Sequence, residues 1–162
     1  MIAILALLAC GTERWDMKTL TDKEAIKINY TAQPTTIEAL NTWKAPPKWR
    51  THRYPAELQV WEVTGVLKLV KTETDGDYHV VLTSDSTNAS IIIEFPSSTC
   101  GKKLAAAQGI DLTQERADIK NAAIGSYVTV TGPAFFDFPH KQTGHSSSYI
   151  ELHPVLTVDV DQ

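Results

Sequence analysis

Four histidines and four carboxylates have the widest chemical reach in this sequence. His79, His140, His145 and His153 stand with Asp77, Glu94, Asp137 and Glu151 near them in sequence or on the same expected strand face. Together they offer enough imidazole and carboxylate for zinc or a similar divalent cation. This reading selects His79, His153, Glu151 and His140 as ligands. In its catalytic form the metal keeps three protein ligands and lowers the pKa of a bound water, with Glu94 or Glu151 as general base. Neither HExxH nor CxxC occurs, so the spacing carries no zinc signature. The competing reading makes His79 and His153 half-buried groups hydrogen-bonded to Glu94 or Glu151, with His140 and His145 capping a loop.

A second set of candidates lies in one loop. Phe135, Phe136, Asp137, His140, Gln142 and His145 fall in PAFFDFPHKQTGHSSS, between YVTVTG and YIELHPVLTV. Phe135, Phe136 and Phe138 suit either an aromatic platform for a sugar ring or base, or a plug closing one end of a barrel. Other chemistries have less behind them. Cys100 has no histidine near it in sequence, and there is no GxSxG nucleophile turn and no glycine-rich phosphate loop.

Positioning these groups falls to strands. From Leu58 onward the hydrophobic period is two: Leu58 to Lys71 with Gly65 at a bulge or sharp coil, an Asp75-Gly76 hairpin turn, Tyr78 to Leu82, and Ser90 to Phe95 closed by Pro96. An alanine-rich stretch, Lys102 to Ala123, predicts one or two helices broken near Gly109 and stopped by Gly125. Tyr127 to Thr131 and Tyr149 to Val158 complete five strands. A coiled first strand, with the helix between the third and fourth, resembles an OB-fold barrel. With Tyr78, Val80, Leu82, Ile91, Ile93, Phe95, Ile150 and Leu152 turned inward, His79, Glu94, Glu151 and His153 share the opposite side.

Residues 1–10, MIAILALLAC, read as the end of a bacterial signal peptide with a lipobox, Leu7-Leu8-Ala9-Cys10, which would place a lipid on Cys10. Only two cysteines are present, so that lipid would leave Cys100 unpartnered and the chain without an internal disulfide. Residues 11–57 read as an extended arm with short helices. One is expected from a Thr21/Glu24 capping box through Ile28, and one begins at Thr35 or Thr36 with Ile37, Leu40 and Asn41 inward. In the stretch WKAPPKWRTHRYP, Lys44, Lys48, Arg50 and Arg53 could hold an anion beside stacked aromatics, or Trp43, Trp49 and Tyr54 could pack on the barrel.

The fragments ERWDMKTLTDKEA, GDYHVVL, IIIEFP, TGPAFFDFPHKQTGH and IELHPVLTV together resemble a family of small exported or lipid-anchored bacterial proteins. Where that pattern commonly has glycine, this chain has Lys141, and its loop is richer in serine at Ser146 to Ser148. The resemblance implies an OB-like fold and export, and brings no established reaction.

Charge narrows the partners. Residues 58–162 hold 7 Lys or Arg against 13 Asp or Glu, and residues 11–57 hold 8 against 6. An acidic barrel argues against general nucleic-acid binding, which rests on cations neutralising phosphates. The expectation is therefore mainly β, a five-stranded OB-like barrel (58–162) behind an N-terminal arm (11–57). Its function is that of an exported binding or interaction module without a cofactor, for an oligosaccharide, a nucleic-acid strand or an envelope protein. The alternative is a zinc- or other divalent-metal-dependent hydrolase of the phosphodiesterase or nuclease kind.

Overall fold

A computed structural model describes residues 11, 13–47, 51–100, 108–139 and 141–161. The expectations for residues 1–10, for Lys48, Trp49 and Arg50, for 102–107 and for His140 lie outside the described residues. The barrel is built from β2 (Gln59–Thr72), β3 (Tyr78–Thr83), β4 (Ser90–Phe95), β5 (Tyr127–Phe136) and β6 (Ile150–Leu152). Its order is β2-β3-β4-β6-β5, closed by pairing of β2 with β5. All these contacts are antiparallel except β4 with β6, which is parallel. Two further strands lie outside the barrel: β1 (Asn29–Pro34) runs parallel to β2, and β7 (Thr157–Val160) antiparallel to β5.

The long β2 serves two neighbours in turn. Residues 60–66 pair with β5 and residues 66–72 with β3, so Val66 belongs to both ladders. The irregularity in register falls between Leu67 and Leu69. Gly65 does another job: a Cβ there would lie 2.7 Å from Ile37 Cδ1 and 3.0 Å from Leu82 Cβ. Its missing side chain lets the arm helix α2 (Ile37–Asn41) approach the barrel. Thr36 caps that helix by accepting from the Ala39 amide at 3.1 Å, and Ile37 and Leu40 enter the main core with Val63, Leu82, Ile93 and Phe95.

Three expectations need correcting. No Thr21/Glu24 box forms. Asp22 accepts from the Glu24 amide, Glu24 accepts from the Arg53 amide, and only a 3-10 turn, Ala25–Lys27, remains. The last expected strand is split into β6 and β7, because after Leu152 the chain turns at a cis His153–Pro154 bond and the Val155 amide donates to Glu94 O. Cys100 is buried and disulfide-bonded rather than unpartnered, its partner lying outside the described residues. The alanine-rich region contributes α3 (Thr113–Asn121). It is anchored by Ile119 in the core and by Arg116, which donates to Phe95 O, Pro96 O and Gly76 O and stacks on Tyr78 at 3.8 Å.

Candidate functional site

Alternation on β3 and β4 sends Val80, Leu82, Ile91, Ile93 and Phe95 into the core. His79 and Glu94, paired directly across the two strands, must then share the other face. The parallel β6 sets Glu151 beside Ile92, and His153 follows two residues on, next to Glu94. The four residues assigned to one side by the sequence therefore do come together. The arm, however, covers them. A short helix, α1 (Trp15–Lys18), brings Trp15 and Lys18 to the cleft beside this face, and His79, Glu94, Glu151 and His153 are 3%, 6%, 2% and 0% exposed.

The four form a continuous chain of contacts. Thr143 O accepts from His79 Nε2 at 2.9 Å, His79 Nδ1 lies 3.2 Å from Glu94 Oε1, and His153 Nδ1 lies 3.0 Å from Glu94 Oε2 and 3.2 Å from Glu151 Oε1. A carbonyl only accepts, so His79 Nε2 carries hydrogen, and the contact of Nδ1 with Glu94 requires a further proton on one of those two atoms. Lys18 Nζ reaches toward Asp137, 3.7 Å away, and lies 5.1 Å from the Phe135 ring. His153 Nε2, though fully buried, has no hydrogen-bond partner among the described residues.

Electrostatics divides the carboxylates. Burial pushes the Glu151 carboxyl up to about 8, reinforced by the nearby charges of Glu94 and Asp137. Burial acts the same way on Glu94, but hydrogen bonds from His153 and His79 outweigh it and hold that carboxyl well below its usual range. Against its own burial, His153 is raised to about 9 by hydrogen bonds to Glu151 and Glu94. Lys18 is held above its ordinary value, its burial outweighed by Glu151, Asp137, Glu94 and Asp77. Burial lifts Asp77 to about 6. One ionised and one protonated glutamate thus face a protonated histidine, and separated pKa values of this kind cluster at functional sites.

A cleft of about 450 Å³ opens onto this network. The turn at Glu73 to Asp77 forms one lip and Lys141, Gln142 and Thr143 the other. Trp15, Lys18 and Lys71 line the walls, and Asp77, His79 and Glu94 lie at the floor. Gln142 lines the cleft. Phe136, 5% exposed, packs in the barrel core, while Phe135, 0% exposed, lies on the opposite face beneath Arg14 and Lys18, so neither ring presents an open platform. His145 is exposed and stacks on Tyr149 with ring centres 4.6 Å apart. Among the ligands expected for a metal, Glu151 sits behind His153 and both nitrogens of His79 are engaged. The group whose ligand atoms lie within 4.8 Å of one another is instead Asp77, Glu94 and His153. Sequence reasoning missed Lys18 and Trp15. The available signal was Arg14 and Lys18 at helical spacing around a tryptophan, a pattern that names no target.

No protein-family model and no curated protein matches the chain. Solved structures are similar in fold. A Leishmania major Friedlin protein assigned as an aspartyl-tRNA synthetase matches 82% of this chain with a TM-score of 0.51 and 14% identity. The match spans 21% of that longer chain. An OBody bound to hen egg-white lysozyme matches 62% of this chain and 78% of its own (TM-score 0.45, 9% identity). A small single-stranded DNA-binding protein from Streptomyces coelicolor matches 63% and 91% (TM-score 0.33, 12% identity). The chain is an OB-type barrel with two outer strands.

Proposed function

We propose that this protein is an OB-type binding module that holds a short oligosaccharide in the cleft between the Glu73–Asp77 turn and the Lys141–Thr143 segment. The observation that carries this reading is the position of the cleft. It opens beside the second and third barrel strands and the loops after the first and fourth, where OB barrels bind oligonucleotides and oligosaccharides. Glu13, Glu73 and Asp75 at its rim, on an acidic barrel, disfavour a polyanion. Sugar hydroxyls both donate and accept, which suits walls that alternate Lys71, Lys141 and Gln142 with Glu73 and Asp75 beside an indole.

The test is titration of short neutral and amino-sugar oligosaccharides into labelled protein, followed by NMR. Amide shifts at Asp75, Gln142 and Thr143, abolished by Gln142→Ala, are expected. Shifts confined to other surfaces would refute the assignment, and release of cleaved products would move it to the hydrolase class.

We also propose export. The disulfide at Cys100 suits an oxidising compartment. Cys10 is the only other cysteine, so a lipid on its thiol and a disulfide within one chain exclude each other. Intact mass under non-reducing conditions separates the two, by an added lipid or by the hydrogens lost to a disulfide. Among the described residues no helix is long and apolar enough to cross a membrane, and the attachment considered is the Cys10 lipid.

A further inference from the structure

We propose that the floor of the cleft is a divalent-metal site with Asp77, Glu94 and His153 as its protein ligands, taking a first-row cation such as Zn²⁺ or Mn²⁺. One ligand atom from each lies within 4.8 Å of the other two. Movement of about 1 Å would bring all three to the roughly 2.0–2.2 Å of a common ion. The residues come from separate, rigid places: Asp77 just before β3, Glu94 within β4, His153 just after β6. Two carboxylates and one imidazole suit a first-row divalent ion.

The independent observation is the state of His153. Its ring is 0% exposed, Nδ1 is held between Glu94 Oε2 at 3.0 Å and Glu151 Oε1 at 3.2 Å, and Nε2 has no partner among the described residues. An ion taken at Nε2 would release the proton that His153 otherwise carries there and leave Nδ1–H fixed by a carboxylate, the usual arrangement of a metal-bound histidine. A purely structural histidine with a buried, unmet nitrogen carries a desolvation cost and nothing to offset it. Asp77 is similarly prepared: one carboxylate oxygen accepts from the Ser97 amide at 2.7 Å, which leaves the other for an ion. Glu94 would exchange its contact with His153 for the metal. Asp77 and Glu94 both line the cleft, so an ion enters through it and its remaining coordination positions face any ligand held there.

Lys18 gives the proposal a discriminating variant. Its ammonium faces the same carboxylates, Asp77 and Glu94 among them, and so competes with a bound cation. The test titrates Zn²⁺ and Mn²⁺ by calorimetry into the full, untagged chain after chelator treatment, with no saccharide present, and checks each variant for cooperative melting. Near one equivalent should bind, weakened about 10- to 100-fold by Asp77→Asn and by Glu94→Gln, and tightened about tenfold by Lys18→Gln. No saturable binding in either the parent or Lys18→Gln would overturn the proposal. So would stoichiometric binding that both carboxylate variants leave intact, since the ion would then sit on surface acids. Neither result bears on the oligosaccharide titration, whose readout is the amide shifts at Asp75, Gln142 and Thr143.

Discussion

Glu57 and Glu94 are both buried carboxylates, at 0% and 6% exposure, and each lies near a cation of the same short helix region. Glu57 is closed. Arg14 clasps it with both terminal nitrogens at 2.7 Å, and the Phe136 and Tyr54 amides donate to it at 2.8 Å and 2.7 Å, so each oxygen has two donors. Glu94 is held by two imidazoles, has the carboxyl groups of Asp77 and Glu151 as neighbours, and borders a cleft. Full satisfaction by a guanidinium and two backbone amides marks a joint between arm and barrel. Satisfaction by titratable partners, with one nitrogen left over, marks a place where something else can bind.

The largest way to break this contrast is Glu57→Ala. It leaves Arg14 buried without its carboxylate and strips two amides of an acceptor, and should cost about 3–5 kcal/mol in urea unfolding. Glu94→Gln keeps the shape and much of the bonding and should cost less. If the two variants lost equal stability, the distinction between joint and site would fail.

The pH profile sharpens it. Glu151 in the folded chain titrates at about 8 against an ordinary 4.5, so the folded protein keeps a proton that the unfolded chain gives up. That contribution is whole below the ordinary value and is lost as pH rises through 8. His153, raised from 6.5 to about 9, acts in the same direction at higher pH. Glu94 is lowered, so its contribution is lost in acid, below its ordinary 4.5. Stability should therefore peak between the two limbs and fall from near-neutral acid to mildly alkaline solution. Glu151→Gln, which fixes the uncharged form, should flatten the alkaline limb. An unchanged limb in that variant would remove Glu151 from the account.

Gly144→Ala probes the loop that ties Thr143 to His79. Gly144 has φ of 84°, and an added Cβ would collide with the Val81 side chain. Strain and overpacking together should cost about 2 kcal/mol. Because Thr143 O accepts from His79 Nε2, the NMR titration of His79 should shift as well. A normal His79 titration in this variant would show that the loop does not position the ring.

Much of this contrast was legible and part was not, for physical reasons. Period-two alternation on Tyr78–Thr83 and Ser90–Phe95 placed His79 and Glu94 together, and the strand order placed Glu151 and His153 beside them. The arm was not legible. β1, NYTAQP, has almost no buried face, and its order comes from backbone pairing with β2. α1 is one turn long and starts from Arg14 at φ of 50°, below the length at which periodicity can be read. Since the arm is what buries the cluster, the sequence shows which groups meet and hides their low exposure, and with it their displaced pKa values.

The smallest effect expected on stability is at the cleft's lip. Lys71 Nζ lies 2.9 Å from Glu73 Oε1, with side chains 58% and 35% exposed. Solvent screens such a pair, and Lys71→Ala should change unfolding free energy by no more than about 0.5 kcal/mol. Both residues nevertheless line the cleft, so the same substitution should weaken the oligosaccharide titration measurably while the melting curve stays put. A variant that loses binding without losing stability is the counterpart of Glu57→Ala. If Lys71→Ala altered neither, the ligand would lie deeper, against Trp15, Asp77 and His79, and the lip would only frame the entrance.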